Sequence, residues 1–189
     1  SPYLVSVNGE TISTRTIIIA TGASPILPSI SGLESIDFLT SESVWNLKDL
    51  PKRLLVIGAG PIGCELAQAF CHLGTQVVQV DIQSRLLPKE DPEISDLVRQ
   101  QFQRDGINVL MEHEPVKVVR EGDIDYLETL YNGRTVRIDF DKVVVAVGRK
   151  PNVEDIGLKS LGIELTSSGA IKVNTAMQTT VRNIFACGD

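Results

Sequence analysis

The stretch from Leu54 to Asp81 constrains the fold more than any other part of the chain. "LLVIG" (Leu54 to Gly58) is a short continuous apolar run, the pattern of a strand buried on both faces. Ile62 to Leu73 follows with helical spacing that places Leu66, Ala69, Phe70 and Leu73 on one face, and Gly74 stops the helix. "TQVVQVD" (Thr75 to Asp81) reads as a second strand. Strand, helix and strand in this order form a βαβ unit, whose crossover makes the two strands parallel.

The join between the first strand and the helix carries chemistry. "VIGAGPIGCELAQAF" spaces Gly58, Gly60 and Gly63 as dinucleotide-binding loops do, with Ala59, Pro61 and Ile62 between them. Gly58 is expected to make the tight turn, Gly60 to let the backbone reach a pyrophosphate, and Gly63 to let helix and strand pack closely. A helix starting near Pro61 offers unpaired N–H groups and a positive dipole end to that anion. Asp81 lies 23 positions after Gly58, near the ~20 expected of the acid that binds the adenosine ribose. A carboxylate there repels a 2′-phosphate. Ile82, Gln83 and Ser84 supply no cation to hold one, and Arg85 is the first basic residue. The expected cofactor is therefore NAD(H) in preference to NADP(H).

Three further apolar runs end at a glycine: "TIIIATG" (Thr16 to Gly22), "VVVAVG" (Val143 to Gly148) and "IFACG" (Ile184 to Gly188). They too suit strands buried on both faces. Asp91-Pro92-Glu93 marks a helix start with Asp91 as cap, and that helix runs to about Arg104 before Gly106. Ile107 to Met111 is a further strand. Val116 to Val119, Tyr126 to Tyr131 and Thr135 to Ile138 predict a small antiparallel meander, with Asn132-Gly133 as a hairpin turn. Ile19 to Pro25 echoes Val145 to Pro151, and the two read as crossings into and out of a central domain.

Composition excludes several function classes. The formal charge of −6 argues against nucleic acid as a partner, and no apolar run has the length of a membrane span. Cys64, Cys71 and Cys187 are too few and too scattered for a disulfide framework, which favours a reducing, cytoplasmic compartment. Cys64 and Cys187 read as buried core residues. His72, and His113 within Glu112-His113-Glu114, read as solvated loop residues, because neither has the separated partners of a zinc site.

Four motifs in order, "IIIATGASP", "VIGAGPIGCELA", "VVVAVGRKPN" and "TTVRNIFACGD", resemble the FAD-dependent pyridine nucleotide-disulfide oxidoreductases of the mercuric reductase and dihydrolipoamide dehydrogenase kind. The resemblance covers the whole chain. It implies an α/β, Rossmann-like FAD/NAD(P)-binding fold: a central parallel sheet with helices and a small antiparallel meander, flanked by remnants of an FAD-binding domain. The implied division is 1–45 for the FAD-domain remnant and crossing, 46–148 for the NAD(H)-binding domain, and 149–189 for the FAD-domain return segment.

The resemblance also implies roles. Ala20, Thr21 and Gly22 would line the FAD site, and Asp189 would bond the FAD ribityl chain. Glu65 would lie near the nicotinamide, Val116 beside the adenine, and Gly148 where the returning strand passes the NAD. Hydride would pass from NAD(P)H to FAD and on to a disulfide or metal-ion acceptor. An NADH oxidase or other flavin reductase, or a stand-alone nucleotide-binding module, are the alternatives. The family's redox cysteine pair has no counterpart here. Cys64 and Cys71 are seven residues apart, about 10.5 Å along a helix, beyond the ~7 Å Cα limit of a disulfide. The expectation is thus a portion of a larger flavoenzyme, inactive by itself, whose parent is a homodimer formed through a C-terminal domain.

Overall fold

The computed structural model describes residues 3–189. In chain order the strands are β1 (Tyr3–Val7), β2 (Glu10–Thr14), β3 (Ile17–Ile19), β4 (Ala23–Pro25), β5 (Leu39–Thr40) and β6 (Arg53–Ile57). Helix α1 (Pro61–His72), β7 (Gln76–Val80), α2 (Pro92–Asp105) and β8 (Asn108–Leu110) follow. The chain continues through β9 (Glu114–Glu121), β10 (Ile124–Tyr131), β11 (Arg134–Phe140), β12 (Lys142–Val145), β13 (Arg149–Pro151) and β14 (Ile184–Ala186).

Two compact units result. One spans Pro25–Gly148, and the other joins the residues up to Ser24 with Arg149–Asp189. Residues 25–45, expected with the flanking segment, belong to the central unit, where Ile30, Leu33, Ile36, Leu39 and Val44 are buried.

The central unit is built on a five-stranded parallel sheet in the order β5-β12-β6-β7-β8. Leu54 to Ile57 and Val143 to Val145 are buried, as strands covered on both faces must be. One face packs on α1 and α2 through Leu54, Val56, Ala67, Phe70, Val77 and Phe102. The other packs under the antiparallel meander β11-β10-β9, where Leu55, Ile57, Val80 and Val143 meet Val118, Leu127, Ile138 and Phe140. The meander takes the place of a crossover helix between β8 and β12. From β6 the chain winds one way to β7 and β8, then returns to β12 on the other side of β6. The strand order therefore reverses between β6 and β12, the switch point where such sheets bind ligands.

The helices differ from the sequence reading in detail. Gly63, Cys64, Leu66, Ala67 and Phe70 form the buried face of α1, whereas Ala69 and Leu73 are exposed. Leu73 is the C-cap, so the helical stripe ends one turn before it. Asp91 caps α2 through its backbone: its carbonyl accepts the Ile94 and Ser95 N–H bonds, and its carboxylate makes no cap bond.

In the flanking unit, β1 and β2 form a hairpin, β3 pairs in parallel with β14, and β4 pairs with β13. The echoing proline-ended segments thus lie beside each other as strands. Leu158, Ile163 and Ile184 form a small core with Ile17 and Ile19 packed against it. Two expectations fail here. Ile18 is 66% exposed, because a two-stranded pair covers one face only. Cys187 is exposed, one residue past the end of β14, and is not a core residue.

Candidate functional site

The glycine loop sits at the carboxyl end of β6, at the switch point. Gly58 has φ 122°, a region that favours glycine. A Cβ there would lie 2.3 Å from the Ala146 carbonyl oxygen. The glycine is therefore demanded both by the turn and by the end of β12. A Cβ on Gly63 would lie 2.2 Å from the Gly58 carbonyl oxygen, so this residue sets how closely α1 approaches its own strand. Gly60 differs. Its backbone is extended (φ −75°, ψ 179°), and an added Cβ would meet nothing within 4 Å. Among the described residues nothing requires glycine at position 60, and the space beside it is open.

Gly60 is the N-cap of α1, Pro61 opens the first turn, and no side chain caps that end. The first-turn amides of Ile62 and Gly63 have no partner within the helix. Cys64 is buried behind them. Burial pushes its thiol pKa up, with a smaller opposing effect from the Gln79 side chain. It is a packed thiol and not the thiolate that a helix N-terminus would favour.

Asp81 follows β7 and faces the loop. Its Oδ2 accepts the Ala59 N–H at 2.6 Å, and its Oδ1 accepts the Gln83 N–H at 2.8 Å. Its backbone is anchored as well: its N–H donates to Leu110 O at 3.1 Å, and its carbonyl accepts the His113 N–H at 3.0 Å. Leu87 N–H donates to Ala59 O at 2.8 Å, which ties the segment after β7 to the loop. Arg85 donates to the carbonyls of Pro88 and Glu90 and so serves its own loop.

Glu65 is exposed on α1, Val116 is exposed on β9, and Gly148 is exposed just past β12 with its carbonyl accepting the Ile26 N–H. Gly58 to Gly63 and Asp81 thus form one cluster with direct bonds. Val116 connects to it through the chain that starts at His113.

His113 corrects the sequence reading. It is buried, its Nδ1 lies 2.9 Å from Met111 O, and its ring stacks on Tyr131 at 4.4 Å. Met111 O is an acceptor only, so Nδ1 carries the proton. His113 joins the Asp81 end of β7 to the meander. Gln79 was missed entirely. It is buried in β7 with its Nε2 donating to Gly58 O at 2.8 Å. A polar residue amid valines, two positions before the acid, was the available signal.

In the flanking unit, Thr21 and Asn152 hold each other: Thr21 Oγ1 donates to Asn152 O at 2.6 Å, and Asn152 Nδ2 donates to Thr21 O at 3.0 Å. Asn152 N–H also donates to Gly22 O. Ala20 is exposed beside them. Asp189 is exposed and pairs with Arg149 at 2.8 Å, and Arg149 also donates to Ala23 O. Among the described residues no cluster of His, Cys, Asp and Glu could hold a metal, and no helix is long and apolar enough to cross a membrane.

The sequence profile described as "Pyridine nucleotide-disulphide oxidoreductase" matches residues 2–189. The chain belongs to this family. It is 43% identical to the mercuric reductase of Lysinibacillus sphaericus over 185 residues, which is 98% of this chain and 34% of that protein. The dihydrolipoyl dehydrogenase of Thermus scotoductus is 34% identical over 197 residues, 100% of this chain and 41% of its own length. Among solved structures, the HOCl-induced flavoprotein disulfide reductase RclA from Escherichia coli superposes with a TM-score of 0.86 at 28% identity, over 97% of this chain and 42% of that one. The family chain described here thus spans well under half the length of these relatives.

Proposed function

We propose that this chain is the NAD(H)-binding portion of a flavoprotein oxidoreductase. The observation that carries the reading is Gly60: a glycine the protein does not itself require, at an uncapped helix end, beside an anchored carboxylate. The amides of Ile62 and Gly63 would bind the pyrophosphate, aided by the dipole of α1. Asp81 keeps lone pairs beyond the two backbone bonds it accepts, and these would take the adenosine ribose hydroxyls. Arg85 donates to its own loop, and the Asp81 carboxylate would repel a 2′-phosphate, so NAD(H) is preferred over NADP(H). Val116 would flank the adenine, Gly148 would pass the dinucleotide, and Glu65 would stand near the nicotinamide. Ala20, Thr21, Gly22 and Asp189 would serve FAD. Held by these residues, the two cofactors would supply two-electron chemistry between NAD(P)H and a disulfide or metal-ion acceptor.

The test is titration of the chain with NADH and with NADPH, for wild type and Asp81→Ala. Wild type is expected to bind NADH saturably and more tightly than NADPH. Asp81→Ala is expected to lose most of that preference. Absence of NADH binding at millimolar concentration would remove the reading.

A further inference from the structure

Gln79 is wholly buried in β7, an interior strand of the sheet, at 0% exposure and among valines. A carboxamide in such a place is costly unless hydrogen-bonded. Its Nε2 donates to the Gly58 carbonyl oxygen at 2.8 Å, and the orientation follows from the partner, since a carbonyl only accepts. Its Oε1 has no partner among the described residues, so the donor is what the site uses.

Two positions further along, Asp81 leaves the same face of the chain, and its Oδ2 accepts the Ala59 N–H at 2.6 Å. The Gly58 carbonyl and the Ala59 N–H belong to one peptide group. Gln79 therefore holds one polar end of that peptide and Asp81 the other. Val80 lies between them, and its carbonyl accepts the Gly58 N–H at 2.9 Å. Gly58 at φ 122° has no side chain to set the rotation of this peptide, so its orientation depends on the partners at its two ends.

We propose that Gln79 is a positioning residue of the nucleotide site: it sets the rotation of the 58–59 peptide, which aims the Ala59 N–H at Asp81 and holds that carboxylate in place for the ribose. The role toward ribose rests on the nucleotide-binding reading, whereas the peptide clamp stands on the ligand-free protein.

Gln79→Met and Gln79→Leu keep an apolar side chain of similar size without the donor. Each exchanges one orphan polar atom, Oε1, for another, the Gly58 carbonyl oxygen. The melting temperature is thus expected to stay within ~4 °C of wild type. By amide exchange measured with NMR and no nucleotide present, the Ala59 N–H is expected to exchange roughly tenfold faster. NADH is expected to bind roughly tenfold more weakly, as when one hydrogen bond to a charged group is lost, with a smaller NADH-to-NADPH preference. An Ala59 amide as protected in both variants as in wild type would overturn the clamp. A released amide with unchanged NADH affinity and selectivity would overturn the role toward ribose, and so would loss of the fold in both variants, which would make Gln79 a stability residue. If wild type binds no NADH, the nucleotide reading fails and takes the ribose role with it, while Ala59 exchange still decides the clamp.

Discussion

Replacing Gly60 with serine puts a side chain on the one fingerprint glycine whose added Cβ meets no atom within 4 Å. The backbone there is already extended, as a serine N-cap requires, and α1 has no capping side chain. The serine Oγ would accept the amide of Ile62 or Gly63. A serine cap exceeds glycine by a few tenths of a kcal/mol, and restricting the unfolded chain adds roughly 0.4–1 kcal/mol. The sum, about 1 kcal/mol, raises the melting temperature by ~2–4 °C in a chain of this size. On the proposed reading, the same Oγ takes an amide that would bind the pyrophosphate, and its Cβ fills the approach. Two lost hydrogen bonds to a charged group, at ~1.5 kcal/mol or more each, weaken NADH about a hundredfold. Circular dichroism melts and NADH fluorescence titrations read the two effects separately. A serine variant that binds NADH like wild type would place the pyrophosphate elsewhere, and one that melts several degrees lower would contradict the open space beside Gly60.

Gly63→Ala is the counterpart on the side of the fold. Its Cβ would meet the Gly58 carbonyl oxygen at 2.2 Å, an overpacking cost of ~1–3 kcal/mol only partly offset by alanine's helix propensity, and calorimetry should show a melting temperature lower by several degrees. Asp141 is held below the usual carboxylate range, chiefly by its hydrogen bond from the Arg53 side chain. A depressed folded pKa stabilises the protein above the unfolded value of ~3.9 and loses that contribution as pH falls through the folded value. Wild type should therefore exceed Asp141→Asn in urea midpoint at pH 7, and the gap should close in acid; a gap independent of pH would remove the electrostatic explanation.

The glycine loop was legible because its demands are local. A turn at positive φ and a close helix–strand approach leave few residue types for positions 58 and 63, whatever surrounds them. The hairpin at Asn132-Gly133 was legible for the same reason. His113 and Gln79 were not, because their burial is decided by partners far along the chain. His113 is covered by Tyr131, and Gln79 lies beneath the Gly58 carbonyl. Sequence polarity alone places such residues at the surface. The opposite error befell Ile18 and Cys187, whose apolar neighbours suggest a core, although β3 and β14 form only a two-stranded pair. Residues 25–45 lack strong periodicity, so only packing assigns them to the central unit.

The bond from Ile26 N–H to the Gly148 carbonyl, 2.9 Å long, has a consequence for the order of folding. The flanking unit pairs β3 with β14 across more than 160 residues of chain, a closure whose entropy grows with the length of free loop between the strands. The central unit is continuous in sequence and carries its own core. Once folded, it holds its first and last residues side by side, and the free loop that must close is much shorter. β14 then searches for β3 across the residues 20–24 and 149–183 that lie outside the folded unit, instead of the whole chain. Destabilising the central unit should accordingly slow the assembly of the flanking unit without touching any of its contacts.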